Sequence, residues 1–195
     1  MDLGRLASVA AAAILVNNVV LARLLGLCPI VGGSRQLTSA LGLGLVVVCV
    51  MTAASMATFG VYSVVLVPLH IEFAETLAFM LVIVGLVRVA EVMMAKVSPG
   101  ASRVFGGGLS LVTANCAVLG VALINTEKSY DLLTATVHGA AAGLGFTLVL
   151  VLVTGLRERI ELSPVPEALK GAPVILVLTG LVALAFLGFS GLVIE

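Results

Sequence analysis

The sequence predicts an all-α polytopic membrane protein: six transmembrane helices in two inverted three-helix repeats, with broken helices at two cysteine motifs. Three observations lead there. Of 195 residues, 61% are apolar and 10% charged, and mean hydropathy is +1.28; a soluble domain is roughly 45–50% apolar and about 25% charged. The apolar residues gather in six runs, each near the length of about 20 that crosses a bilayer. Two short motifs, each a cysteine followed by three non-polar residues and a glycine, recur in the two halves. So few charges cannot cover a water-exposed surface, which excludes a soluble enzyme and a disordered tail. With no basic stripe to meet phosphates, the composition also excludes nucleic acid as a partner.

The six runs are Leu6–Leu27, Leu37–Val61, Ile71–Ala95, Val104–Asn125, Leu132–Leu156 and Ala172–Ile194. Polar or Pro/Gly-marked breaks separate them at Gly32–Gln36, Val67–His70, Lys96–Gly100, Thr126–Asp131 and Arg157–Gly171. Lipid offers no water to backbone groups, so each run must be helical or enclosed by protein. A barrel would alternate every second residue, and runs such as Leu45-Val46-Val47-Val48 do not. Arg5 followed by Leu6–Val16 has the form of a signal-peptide core, but no small-residue cleavage site leads into a soluble mature chain. The whole chain, 1–195, reads as one integral membrane domain, with repeat one at about 1–95 and repeat two at about 104–195.

Basic residues set the orientation. Taking the breaks alternately, one side collects Arg23, Arg35, Arg88, Lys96, Arg103, Arg157, Arg159 and Lys170, which is eight, and the other Arg5 and Lys128, which is two. Eight against two places the first, third and fifth connections in the cytoplasm and both termini outside. No extramembrane piece is large enough to be a domain, so redox or nucleotide chemistry in water must belong to other subunits.

The halves echo one another around Cys28 (Leu27-Cys28-Pro29-Ile30-Val31-Gly32) and Cys116 (Asn115-Cys116-Ala117-Val118-Leu119-Gly120). A second echo pairs Leu37-Thr38-Ser39-Ala40 with Leu133-Thr134-Ala135-Thr136. Three helices per half is an odd number, so the halves must be inverted, an arrangement that puts functional sites near the midplane at broken helices. Gly26, Pro29, Gly32 and Gly33 surround Cys28, and Gly106-Gly107-Gly108, Asn115 and Gly120 surround Cys116. Pro29 suits the first turn of a fresh half-helix. Cys28 would then stand at a helix N-terminus, where free amides favour a thiolate or an anionic cluster.

The plainer reading is that both cysteines are small buried hydrophobes and the glycines are packing residues. Two thiolates do not complete a metal site, since tetrahedral zinc or iron takes four ligands. If Cys28 and Cys116 bind metal, a partner chain donates the remainder. A disulfide between them is a further alternative. Cys49, mid-run and without a counterpart, reads as packing, and His70 and His138 read as structural. Arg88 and Glu91, three apart, read as a structural pair. Asn17, Asn18 and Asn125 either bond between helices or line an ion path, and no run holds an isolated mid-membrane carboxylate.

At these residues the chain resembles a known family. Asn17-Asn18-Val19-Val20-Leu21, Gly26-Leu27-Cys28-Pro29, Thr113–Leu123, Arg157-Glu158-Arg159 and the closing Gly188-Phe189-Ser190-Gly191-Leu192 resemble the RnfA subunits of Rnf electron-transport complexes. More distantly, they resemble the matching membrane subunits of the sodium-pumping NADH:quinone oxidoreductase. The resemblance runs the whole length. It departs at Ile30, where the family usually has an aromatic residue, and near Arg35-Gln36, where it has a Lys pair.

The resemblance implies a multi-pass subunit of the bacterial inner membrane with both termini periplasmic. It also implies a homologous RnfE subunit of opposite orientation as partner, and further flavin and iron–sulfur subunits. By motif it makes Cys28 and Cys116 two of the four ligands of a [2Fe–2S] cluster shared with RnfE, with Pro29, Asn115 and Gly120 as supporting positions. The implied activity is electron transfer between ferredoxin and NAD coupled to Na+ or H+ movement. Two other readings use the same residues: a reducing system for a redox-sensing regulator, and a small inverted-repeat transporter without cofactor.

Overall fold

The structure is a computed structural model that describes residues 3–32, 37–69, 75–97, 115–163, 166 and 170–189, and every regular element among them is helical. In order these are α1 (Leu3–Ala11), α2 (Val19–Arg23), α3 (Leu27–Gly32), α4 (Leu37–Val61), α5 (Val67–Leu69), α6 (Glu75–Val97), α7 (Cys116–Glu127), α8 (Leu132–Glu161) and α9 (Ala172–Leu187). Ser39–Leu66 and Leu132–Ile160, of 28 and 29 residues, are each long and apolar enough to cross a membrane. Leu6–Val16, Cys116–Glu127 and Ala172–Leu187 are shorter apolar helices. Leu77, Leu81 and Val64 are more than 70% exposed. Such a surface on a chain this apolar faces lipid or other subunits.

The antiparallel pair α4 and α8 forms the frame. Glycines bring their backbones together at three levels: Gly44 faces Thr147, Gly143 faces the Cα of Val48, and Gly139 faces Ser55 and the carbonyl of Met51. Small residues at such a seam let dispersion and close backbone contact replace the hydrophobic drive that lipid does not supply. Met51, Phe79 and Phe146 fill the core around the seam. The hydroxyls of Thr52, Thr58, Thr147, Thr154 and Thr179 each bond back to the carbonyl four residues earlier, so none is left unpaired in an apolar setting. Where α4 ends, a π-helix over Tyr62–Leu66 leads into α5. Pro68 lies in α5; a proline has no N–H and crowds the carbonyl four residues back, here Val64, and the widened turn accommodates it.

The run Leu6–Leu27 is broken twice, beside the cysteine motif, where Gly26 and Pro29 predict a break, and at Asn17–Asn18, where the sequence reading predicts none. A π-helix over Ala12–Val16 follows α1, and Asn17 and Asn18 leave helical geometry. The side-chain oxygen of Asn18 accepts from the Val20 amide at 3.1 Å and caps α2, while its Nδ2 donates to the carbonyls of Ile14 at 3.0 Å and Gly145 at 2.9 Å. Asn18 thus satisfies the carbonyl freed by the break and anchors the break halfway along α8.

From there the chain doubles back. Arg23, ending α2, lines a cavity with Lys128, Tyr130 and His138 near the start of α8. After a second break at Leu24–Gly26 the chain returns to Phe146. This corrects the sorting of charges: Arg23 and Lys128 share one cavity and cannot belong to opposite sides.

Of the other sequence expectations, α7 begins only at Cys116, within the run Val104–Asn125. Gly33, Arg35, His70, Val104 and Gly106-Gly107-Gly108 lie outside the described residues, as does the Glu91 side chain of the expected Arg88–Glu91 pair. His138 is buried and holds helices together. Asn125 Nδ2 donates to Ser55 Oγ at 3.2 Å, so its Oδ1 accepts from His138 Nδ1 at 2.6 Å, joining α4, α7 and α8. Asn125 therefore bonds between helices.

The seam makes a specific forecast. Gly143→Val would drive side-chain atoms into the Val48 backbone and should destabilise by about 2–3 kcal/mol, as overpacking does. A methyl added at Gly155 would meet nothing within 4 Å, and Gly155→Ala should be neutral or up to about 1 kcal/mol stabilising. Thermal unfolding in detergent compares the two.

Candidate functional site

Both cysteines stand at the start of helices. Cys28 is the second residue of α3, and Pro29 follows within the first turn, where its missing N–H removes no intrahelical bond. Cys116 opens α7 behind its N-cap, Asn115, whose Oδ1 accepts from the Ala117 amide at 3.0 Å. A cap of this kind satisfies one of the orphan donors of the first turn.

The turn before α3 reaches across to α7. The amide of Gly26 donates to Cys116 Sγ at 3.0 Å, joining positions 90 apart in the sequence. Glycine is required there: φ is +81°, and a Cβ would stand 2.8 Å from Phe146 Cε2, 2.9 Å from Ala117 Cβ and 3.0 Å from Asn115 Oδ1. Leu24, just before, has φ 53°, a left-handed conformation that costs a non-glycine residue roughly 1–2 kcal/mol. Gly120 acts at one remove: it leaves room for Leu25, whose Cδ1 would stand 2.6 Å from a Cβ at Gly120. Its part is to let the Leu24–Gly26 turn lie against α7.

The structure therefore brings the two cysteine motifs together, and it leaves both cysteines exposed. Cys28 and Cys116 are free and exposed, as is Cys49 on α4. This replaces three of the open sequence readings: the motif cysteines are not buried hydrophobes of this chain, they are not disulfide-bonded, and Cys49 is not packed in the core. No group of three or more His, Cys, Asp or Glu side chains among the described residues is placed to hold a metal ion. Two exposed cysteines with helix-start amides beside them can bind a soft metal or an anionic cluster whose other ligands come from another chain.

One further atom belongs to this place. Asn115 is 4% exposed, and its Nδ2 is the one buried side-chain nitrogen or oxygen without a hydrogen-bond partner among the described residues. The contrast with Asn18 is direct. Both asparagines cap a half-helix with Oδ1 on the amide two residues on, but the Nδ2 of Asn18 has two acceptors and that of Asn115 has none. A buried unpaired donor costs about 1–3 kcal/mol. Its position beside Cys116 suits an acceptor brought by something bound there. Reading the sequence alone misses the capping role of Asn18, although an Asn followed by valines inside an apolar run is a helix-start signature.

A family model described as "Rnf-Nqr subunit, membrane protein" matches residues 6–193. A relative from Acetobacterium woodii, the A subunit of its Na(+)-translocating ferredoxin:NAD(+) oxidoreductase complex, is 48% identical over 180 residues, covering 92% of this chain and 94% of its own length. Two further relatives are each named as the A subunit of an ion-translocating oxidoreductase complex. That of Syntrophotalea carbinolica is 49% identical over 181 residues, 93% of this chain and 94% of its own. That of Vibrio vulnificus is 46% identical over 180 residues, 92% and 94%.

Gly26→Ala tests the join between the motifs. Left-handed strain and overpacking against Phe146 and Ala117 together should cost about 2–4 kcal/mol, read as a lowered melting temperature.

Proposed function

The chain belongs to the Rnf–Nqr family of membrane subunits, and from that premise we propose that it serves as the RnfA component of an Rnf-type complex. Such a complex moves electrons between ferredoxin and NAD and couples the transfer to Na+ or H+ transport. In this reading Cys28 and Cys116 supply two of the four thiolates of an intramembrane [2Fe–2S] cluster. A homologous RnfE component of opposite orientation supplies the other two, and flavin and further iron–sulfur subunits complete the complex. The single observation that carries the reading is the Gly26–Cys116 bond, which draws together the two motifs whose cysteines are both exposed. The bacterial inner membrane, with periplasmic termini, and six crossings in two inverted repeats belong to the same proposal. The antiparallel seam of α4 and α8, which occupy the second apolar run of each half, supports the inversion.

The residues present fit a cluster by their chemistry. When bound, the cluster supplies one-electron transfer. The chain's own part is electrostatic and steric. Anionic sulfur in a low-dielectric setting is costly unless donors meet it. The Gly26 amide already faces Cys116 Sγ, and Asn115 Nδ2 stands unpaired beside it. Pro29 is buried in the first turn of α3 and stiffens the backbone that carries Cys28.

Two measurements follow. Cys28→Ser or Cys116→Ser should remove iron and acid-labile sulfide from the assembled complex, along with ion uptake driven by reduced ferredoxin or NADH. Unchanged iron content in the assembled variants would sink the reading. Asn115→Asp keeps the oxygen that caps Ala117 and replaces the donor by a negative acceptor. It should retain iron and lower the cluster's midpoint potential by about 59 mV, a tenfold shift for a one-electron couple, in a reductive titration followed by electron paramagnetic resonance.

A further inference from the structure

The break at Asn17–Asn18 has an effect away from the cysteines. By returning α2 toward the start of α8, it brings Arg23 to a cavity of about 280 Å³ that Lys128 also lines. Ser8, Asn17, Tyr130 and His138 complete the polar wall, and aliphatic side chains of α2, α7 and the α1 segment make up the rest. Arg23 lies in the last turn of α2 and Lys128 caps the end of α7. Helix ends of that polarity favour a cation, which accounts for each base singly but not for both on one concavity. Among the described residues no carboxylate lines the cavity. Glu127 and Asp131 flank the Lys128–Tyr130 turn without entering the wall. Two cations facing a half-apolar hollow in a membrane chain are costly unless an anion meets them.

The shape specifies the anion further. One end of the cavity is the polar turn Lys128–Tyr130, with Lys128 Nζ 5.9 Å from the Tyr130 ring centre; tyrosine and lysine suit the headgroup level. The Tyr130 ring in turn packs edge-on against His138, ring centroids 5.5 Å apart, so His138, in the second turn of α8, stands at the same polar end. His138 Nδ1 is committed to Asn125 Oδ1, so the neutral ring has Nε2 left as an acceptor.

We propose that this cavity binds the headgroup of an anionic phospholipid that bears hydroxyls, of the phosphatidylglycerol type. Arg23 and Lys128 meet the phosphate, the guanidinium offering the planar two-pronged geometry that phosphate favours. A headgroup hydroxyl donates to His138 Nε2, and the aliphatic wall takes the start of an acyl chain. The site is independent of the cysteines and of any cluster.

The test uses the assembled complex in neutral detergent with a photoactivatable phosphatidylglycerol, the labelled peptides being mapped by mass spectrometry. Label should appear on α1 and on the Lys128–Tyr130 turn. Excess unlabelled phosphatidylglycerol should displace it, and phosphatidylethanolamine or inorganic phosphate at equal concentration should not. Arg23→Gln with Lys128→Gln should lower labelling about tenfold. If that double variant fails to assemble, Lys128→Gln alone, on an exposed turn, should still lower it. Labelling that survives the substitutions, or that phosphatidylethanolamine displaces equally well, overturns the proposal. Displacement by inorganic phosphate overturns the lipid assignment in favour of a small free anion.

Discussion

A chain in lipid must pair its backbone polar groups within itself, and everything distinctive about this structure follows from breaking helices under that rule. An unbroken helix pairs its groups automatically and offers nothing to a ligand. Each break exposes amides and carbonyls that need new partners, and asparagine supplies them because its short side chain both accepts and donates. Asn18 uses all of that capacity on the fold, with one acceptor bond and two donor bonds. Asn115 uses only its oxygen. The two residues thus cap in the same way and differ in what their amide nitrogens meet.

The breaks are tolerated because the rest is rigid. The glycine seam between α4 and α8 leaves little freedom where Gly143 meets the Val48 backbone, and the Ser55–Asn125–His138 bonds tie α7 to the same frame. Against it the short helices α2 and α3 need few contacts of their own. Strain at Leu24 is held by the packing of Leu25 on Gly120 and of Gly26 on Phe146. Such local strain persists only when its surroundings over-determine it.

Much of this is legible in the sequence, and for physical reasons. Apolar length reveals the long helices, because lipid thickness is a one-dimensional constraint. The motif around Cys28 signals a break through Gly26 and Pro29, whose backbone preferences are local, and the Asn115 cap can be read the same way. The path between breaks is less visible. Residue order cannot show that α2 doubles back, since that depends on Asn18 finding the Gly145 carbonyl 127 positions away. Counting loop charges therefore puts Arg23 on the wrong side, and such rules fail wherever a charged residue lies on a returning segment. The exposure of Cys28, Cys49 and Cys116 is tertiary information too, since an all-apolar helix has no polar face to mark which side is lipid.

The Gly26–Cys116 bond has a consequence for what can be separated. Its donor lies in the first half of the chain and its sulfur in the second. A gene cut between the halves would yield two membrane pieces, each with its own motif cysteine. Neither would contain the bond, because it exists only in the contact between them.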